Sequence, residues 1–120
     1  MHFKIHENNN LPIAELSGTE QLINNLDDAL DLLGNANYSG ARKIIVHQSQ
    51  LHPDFFELRT GMAGEILQKF SNYRMQLAIV GEFRKISSKS LRDFIFESNK
   101  NGHILFLAST EEAINKFSGA

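Results

Sequence analysis

Three compact apolar runs, Lys43-Ile44-Ile45-Val46-His47, Met75-Gln76-Leu77-Ala78-Ile79-Val80-Gly81 and His103-Ile104-Leu105-Phe106-Leu107-Ala108, constrain most strongly what this chain can fold into. They are mostly β-branched or apolar and lack clean alternation, the pattern of strands buried on both faces. Helical patterns follow each run: Pro53 to Tyr73, Ser88 to about Lys100 with Leu91, Phe94 and Ile95, and a last stretch after Thr110 with Ala113, Ile114 and Phe117. Strands alternating with helices pair in parallel, because a parallel neighbour is reached only through a crossover. The expectation is one α/β domain over residues 1–120, with a mixed, mostly parallel sheet of about five strands and about four helices.

The N-terminal stretch reads differently. Phe3 and Ile5 alternate with Lys4 and His6, and Asn8-Asn9-Asn10 then separates them from Leu11-Pro12-Ile13-Ala14-Glu15-Leu16, as in a hairpin-like pair of strands. Pro12 lacks a ladder donor, so it should open its strand or lie on an edge. Ser17-Gly18-Thr19-Glu20 fits a capping box, which starts the first helix at this point. Leu22, Leu26, Ala29, Leu30 and Leu33 recur at helical spacing, with Asp27, Asp28 and Asp31 on the solvated side and Gly34 placed to end the helix.

Composition narrows the partners. The chain has 120 residues, 42% of them apolar, with nine phenylalanines and two prolines, enough for one packed core. Twelve basic and fourteen acidic side chains are well mixed, so no stripe neutralises phosphates and nucleic acid is not an expected partner. The absence of cysteine excludes disulfides, thiolate metal sites and a cysteine nucleophile, and suits a reducing cytosol. The opening Met1 to His6 lacks an apolar signal core, and no apolar run reaches the roughly 18 residues that span a bilayer, so a cytoplasmic protein without a membrane partner is expected.

One segment conflicts with the simplest reading. A single helix from Pro53 to Arg74 gathers Phe55, Phe56, Leu58, Met62, Ala63, Ile66, Leu67, Phe70 and Tyr73 into one stripe and puts Arg59 near its middle. A guanidinium buried alone costs several kcal/mol, so either the helix breaks between Leu58 and Gly61 with Thr60 capping a new one, or Arg59 has a buried partner such as Glu65, Glu82 or Glu97. Gly61, poor in a helix interior by about 1 kcal/mol relative to Ala, favours the break. Gly61 and Gly64 would also put a smooth face on the helix, fitted to tight packing, a dimer contact, or a ligand whose anion Arg59 clamps.

In open α/β sheets ligands collect beyond the carboxyl ends of the strands. That rule selects His47, Gln48, Ser49 and His52 after one strand, Gly81, Glu82, Arg84 and Ser87-Ser88 after the next, and Ser109-Thr110 after the last. Neither a nucleophile elbow nor an oxyanion-hole motif accompanies them, and no glycine-rich phosphate fingerprint or Walker loop occurs, so no cofactor is expected. His2 and His6, four apart on a strand, are too far apart to share one ion, and His47 and His52 lack a third ligand, so no metal is expected either. Ser88-Lys89-Ser90 caps a helix or holds an anion on its free amides. The candidate ligand-binding residues are Arg59, Thr60, Gly61, Glu65, His47, Ser49, Glu82 and Ser88, with no catalytic residue assigned.

The run Phe55-Phe56-Glu57-Leu58-Arg59-Thr60-Gly61-Met62-Ala63-Gly64-Glu65-Ile66-Leu67-Gln68-Lys69-Phe70 resembles the bacterial family named domain of unknown function 4180. Asn72-Tyr73-Arg74, Ala78-Ile79-Val80-Gly81, Ser88-Lys89-Ser90-Leu91-Arg92-Asp93-Phe94-Ile95 and Glu97-Ser98-Asn99 extend the resemblance over most of the chain after Ile13. It implies no catalytic residue. The element order also resembles, in topology rather than motif, the STAS fold of anti-sigma-factor antagonists. In that fold a phosphorylatable serine starts the helix after the strand matching Lys43 to His47; Ser49 is the nearest candidate, but Gln48-Ser49-Gln50 lacks the expected Asp-Ser pair. The expected function is a non-enzymatic regulatory or interaction module acting through a protein partner, a homodimer or a small anionic ligand. The alternative is a small-molecule enzyme using His47, Glu82 or Arg59 at the strand ends.

Overall fold

A computed structural model describes residues 1–8 and 11–118. Five strands, β1 (Phe3–Asn8), β2 (Leu11–Leu16), β3 (Lys43–His47), β4 (Gln76–Val80) and β5 (Ile104–Leu107), form one sheet in the order β1-β2-β3-β4-β5. β1 and β2 are antiparallel, in register from Phe3 opposite Leu16 to Asn8 opposite Leu11, and the other three pairings are parallel. The chain is therefore an α/β domain with a mixed, mostly parallel sheet and four helices, α1 (Leu26–Tyr38), α2 (Met62–Asn72), α3 (Lys89–Asn101) and α4 (Thr110–Phe117). No helix among the described residues is long and apolar enough to cross a membrane.

The two sheet faces carry different loads. Ala14, Leu16, Ile44, Val46, Leu77, Ile79, Ile104 and Phe106 point to the face covered by α1, α2 and α3, where Leu32, Leu33, Ile66, Phe70, Leu91 and Ile95 complete the main core. Because the strand order is monotonic and these helices share one face, the three crossovers have one hand. The other face carries Ile13, Ile45, Ala78, Val80 and Leu105, and α4 covers it with Ala113 and Phe117. Burial on both faces explains why β3, β4 and β5 read as unbroken apolar runs. Pro12 is the second residue of β2, just before the ladder with β3 begins at Ile13, where its missing N–H does least harm. Asn9 and Asn10 of the expected turn lie outside the described residues.

Helix starts follow short polar side chains. Ser88 Oγ accepts from Leu91 N–H at 3.2 Å to open α3, and Ser109 Oγ accepts from Glu112 N–H at 3.1 Å to open α4. The expectation for α1 needs correcting at both ends. Asn25, not Ser17, caps it, with Oδ1 2.9 Å from Asp28 N, because Leu22 and Ile23 are held extended by hydrogen bonds to Gln50 O. Gly34 does not end it either: helical bonding continues to Tyr38, a solvent-facing glycine costing less than the burial of Ala36 returns.

The Pro53–Arg74 conflict resolves as a break. Gln48–Gln50, Pro53–Phe56 and Leu58–Thr60 form three short 3-10 turns, and Gly61 at φ +80° turns the chain into α2. That left-handed conformation favours glycine. Thr60 Oγ1 lies 2.8 Å from both Asp54 O and Glu57 O and accepts from Met62 N–H at 3.2 Å, tying the turns to the helix start. Arg59 consequently leaves the apolar stripe and is 88% exposed beside Glu57, with Nε 3.5 Å from Oε2. A Cβ at Gly61 or Gly64 would meet nothing within 4 Å, so close packing within the chain does not account for these glycines.

Candidate functional site

Gln50 organises the loops at the carboxyl end of the sheet. Its side chain is fully buried: Nε2 donates to Leu16 O at 3.0 Å and Gly18 O at 2.7 Å, and Oε1 accepts from His47 N–H at 2.8 Å. Its backbone carbonyl accepts from Leu22 and Ile23 N–H, both at 2.9 Å. One residue thus joins the ends of β2 and β3 to the strand-like stretch at Ile23, and this tie positions everything that follows β3.

Three shallow grooves open around the aromatic side chains at this edge. Phe56, Glu57, Leu58, Arg59, Ser88 and Ser90 line one of about 280 Å³, between the 3-10 turns and the start of α3. Gln21, Gln48, Ser49, Leu51, Pro53 and Phe56 line a second of about 370 Å³. A third, of about 360 Å³, lies between the β4–α3 loop and the end of β5, lined among others by Glu82, Phe83, Arg84 and Glu112. The Phe56 ring packs 5.1 Å from Phe55 and 6.1 Å from Phe83, which in turn stands 5.3 Å from Phe106. This aromatic row separates the third groove from the first two. In the third, Arg84 donates through Nε and Nη2 to Glu82 at 3.1 and 3.2 Å, and that pairing holds the Glu82 carboxyl below its ordinary range.

A second constellation lies on the face that α4 covers, near β1 to β3. Glu15 Oε1 is 2.7 Å from His6 Nε2 and Oε2 is 2.7 Å from His47 Nε2, with the carboxylate 16% exposed. Burial raises the Glu15 pKa, but the hydrogen bonds from His47 and His6 outweigh it and leave the carboxyl below its usual value. The His47 ring also faces the backbone of Gln50 in a capping box. Glu15 thus engages one ring nitrogen of each histidine, His6 Nε2 and His47 Nε2. A carboxyl with a depressed folded pKa contributes stability above its unfolded pKa, about 4.3, and loses it as pH falls through the lower folded value. Glu15→Gln should therefore cost on the order of 1 kcal/mol at pH 7, allowing for partial solvation, and progressively less as the pH is taken down toward 3 and through the lower folded value. Urea unfolding across that range checks this; a pH-independent difference would contradict it.

The expected ligand residues divide among these places. Arg59 and Ser88 share the 280 Å³ groove, Ser49 lines the 370 Å³ groove and Glu82 the third. Thr60 and Gly61 shape the turn that presents Arg59, Glu65 is exposed on α2, and His47 points to the opposite sheet face with Glu15. The His6–Glu15–His47 contact was not foreseen. Strand alternation places His6 and Glu15 on one face once the β1–β2 register is known, but His47 enters only through the parallel β2–β3 register. Ser90 and Phe56 also join the first groove with no motif to single them out.

Among curated proteins, none matches this chain significantly. The quoted strings around Phe55–Phe70 and Ser88–Ile95 are borne out: a family model described as "Domain of unknown function (DUF4180)" matches residues 8–117. Since that span covers nearly every element of the sheet and all four helices, the chain belongs to the DUF4180 family.

Proposed function

We propose that this domain is a non-enzymatic regulatory or interaction module that acts by binding a small anionic ligand in the groove lined by Arg59, Ser88 and Ser90. The observation that carries the reading is the break at Gly61, which brings an 88% exposed guanidinium to a groove it shares with the start of α3. Glu57 is itself exposed and holds Arg59 by one contact of 3.5 Å, the kind of surface pair worth about 0–1 kcal/mol, so an anion competes for the guanidinium at little cost. Backbone N–H groups in the first turn of α3 add donors and a favourable dipole. A STAS-like, bacterial and cytoplasmic protein is part of this proposal. The STAS-like part is supported by a two-strand antiparallel start, the order β1-β2-β3-β4-β5 and three helices on one face.

Titration of inorganic phosphate followed by amide NMR tests the reading. Shifts at Arg59, Ser88 and Ser90 are expected to saturate, and Arg59→Ala should weaken binding at least fivefold, the loss of one charge-assisted contact. The absence of shifts at those three positions, or shifts unchanged in the variant, would reject it.

A further inference from the structure

We propose that the neighbouring 370 Å³ groove takes a neutral, planar, pyrimidine-like ring with carbonyl acceptors, joined to the anion bound at Arg59. This rests on the anion-binding reading above and names the class of ligand that would satisfy both grooves.

None of the six residues lining the second groove, Gln21, Gln48, Ser49, Leu51, Pro53 and Phe56, carries a charge. Its walls are apolar at Leu51, Pro53 and Phe56 and polar at two carboxamides and a hydroxyl. That mixture fits a ring with two flat faces and a hydrogen-bonding edge, and it does not fit an ion.

Two of these side chains are fixed in advance. Gln48 Oε1 accepts from Glu82 N–H at 3.1 Å, and Gly81 leaves the room this needs: a Cβ there would lie 2.7 Å from Gln48 Cβ and collide with the carboxamide oxygen. That bond orients the carboxamide, whose two N–H donors no hydrogen bond joins to another described residue. Phe56 is held by the edge contact with Phe55 and the tilted contact with Phe83, so its orientation is set before a ligand arrives. A locked donor beside a locked aromatic ring is a pre-organised site for a planar acceptor.

Phe56 lines both grooves. A ring packed against it on the Gln48 side leaves a tethered anion on the Arg59 side. Uracil rings have the required carbonyls and no charge, so uridine, inorganic phosphate and uridine 5′-monophosphate probe the ring site, the anion site and their union.

Isothermal titration and NMR with the full chain decide the matter. Uridine 5′-monophosphate should bind at least tenfold tighter than uridine or phosphate, and uridine should shift the Gln48 side-chain amide resonances. Gln48→Glu keeps an acceptor for Glu82 N–H but removes the donors, and it should weaken uridine and uridine 5′-monophosphate about tenfold while leaving phosphate within twofold. Phe56→Leu should weaken the same two ligands about tenfold through lost stacking. Arg59→Ala should weaken phosphate and the monophosphate but not uridine. Phosphate binding without uridine binding overturns the ring site alone. Uridine binding without phosphate binding overturns the anion reading and the joined ligand. Equal affinities in wild type and both ring-site variants overturn the assignment of Gln48 and Phe56.

Discussion

Gln50→Leu is expected to lower the unfolding free energy by about 2 kcal/mol, at roughly 1 kcal/mol for the buried Leu16 carbonyl and less for each of the two part-buried backbone groups left without their side-chain partner. Leu16 O and Gly18 O lose their donor and His47 N–H loses its acceptor. The leucine side chain refills most of the volume, so the loss measures polar satisfaction rather than a cavity. Urea denaturation at pH 7 reads it as a shift in midpoint with little change in slope. A loss under 1 kcal/mol would mean that water replaces the carboxamide, and the hub would then be no hub. Because this residue positions the β3 loop, the variant should also broaden amide signals from Gly18 to Ile23, whose backbone it anchors.

Gly81→Ala is expected to cost about 2 kcal/mol by overpacking. The new methyl would sit 2.7 Å from Gln48 Cβ and 3.0 Å from Phe83 Cζ, and Gln48 Cβ is too close to the backbone to swing away. The strain should be relieved in part by Gln48→Gly, giving a coupling of about 1 kcal/mol in a double-mutant cycle measured by denaturation. Additive costs would show that the clash is not with Gln48. The same contact keeps the Gln48 carboxamide in place, so stability and the shape of the second groove depend on one missing side chain.

The helix break shows how far local chemistry reaches. Arg59 within an apolar stripe and Gly61 at its side left two solutions, a break or a buried partner for Arg59, and the left-handed Gly61 with its Thr60 bonds shows that the break is the one taken. Ser88 as a cap was legible for the same reason, since a hydroxyl three residues before a free amide acts within one turn. The start of α1 was misread because Ser17-Gly18-Thr19-Glu20 satisfies a local rule that a distant residue overrides. Gln50 O takes the Leu22 and Ile23 amides, and the helix waits until Asn25.

By itself the sequence determined the α/β class, the three buried strands and the hairpin start, and it narrowed the Pro53–Arg74 stretch to a break or a buried partner for Arg59, because each depends on periodicity, turn chemistry or the cost of burying charge within a short stretch. Only the tertiary structure decided that His6, Glu15 and His47 meet, that Gln50 is a buried hub, and that Arg59 shares a groove with Ser88 rather than with His47. Those outcomes depend on the register between strands and on which face each crossover takes. Apart from His6–Glu15, nine positions apart across the hairpin, they come from contacts between residues about 30 positions apart, for which local pattern carries no signal.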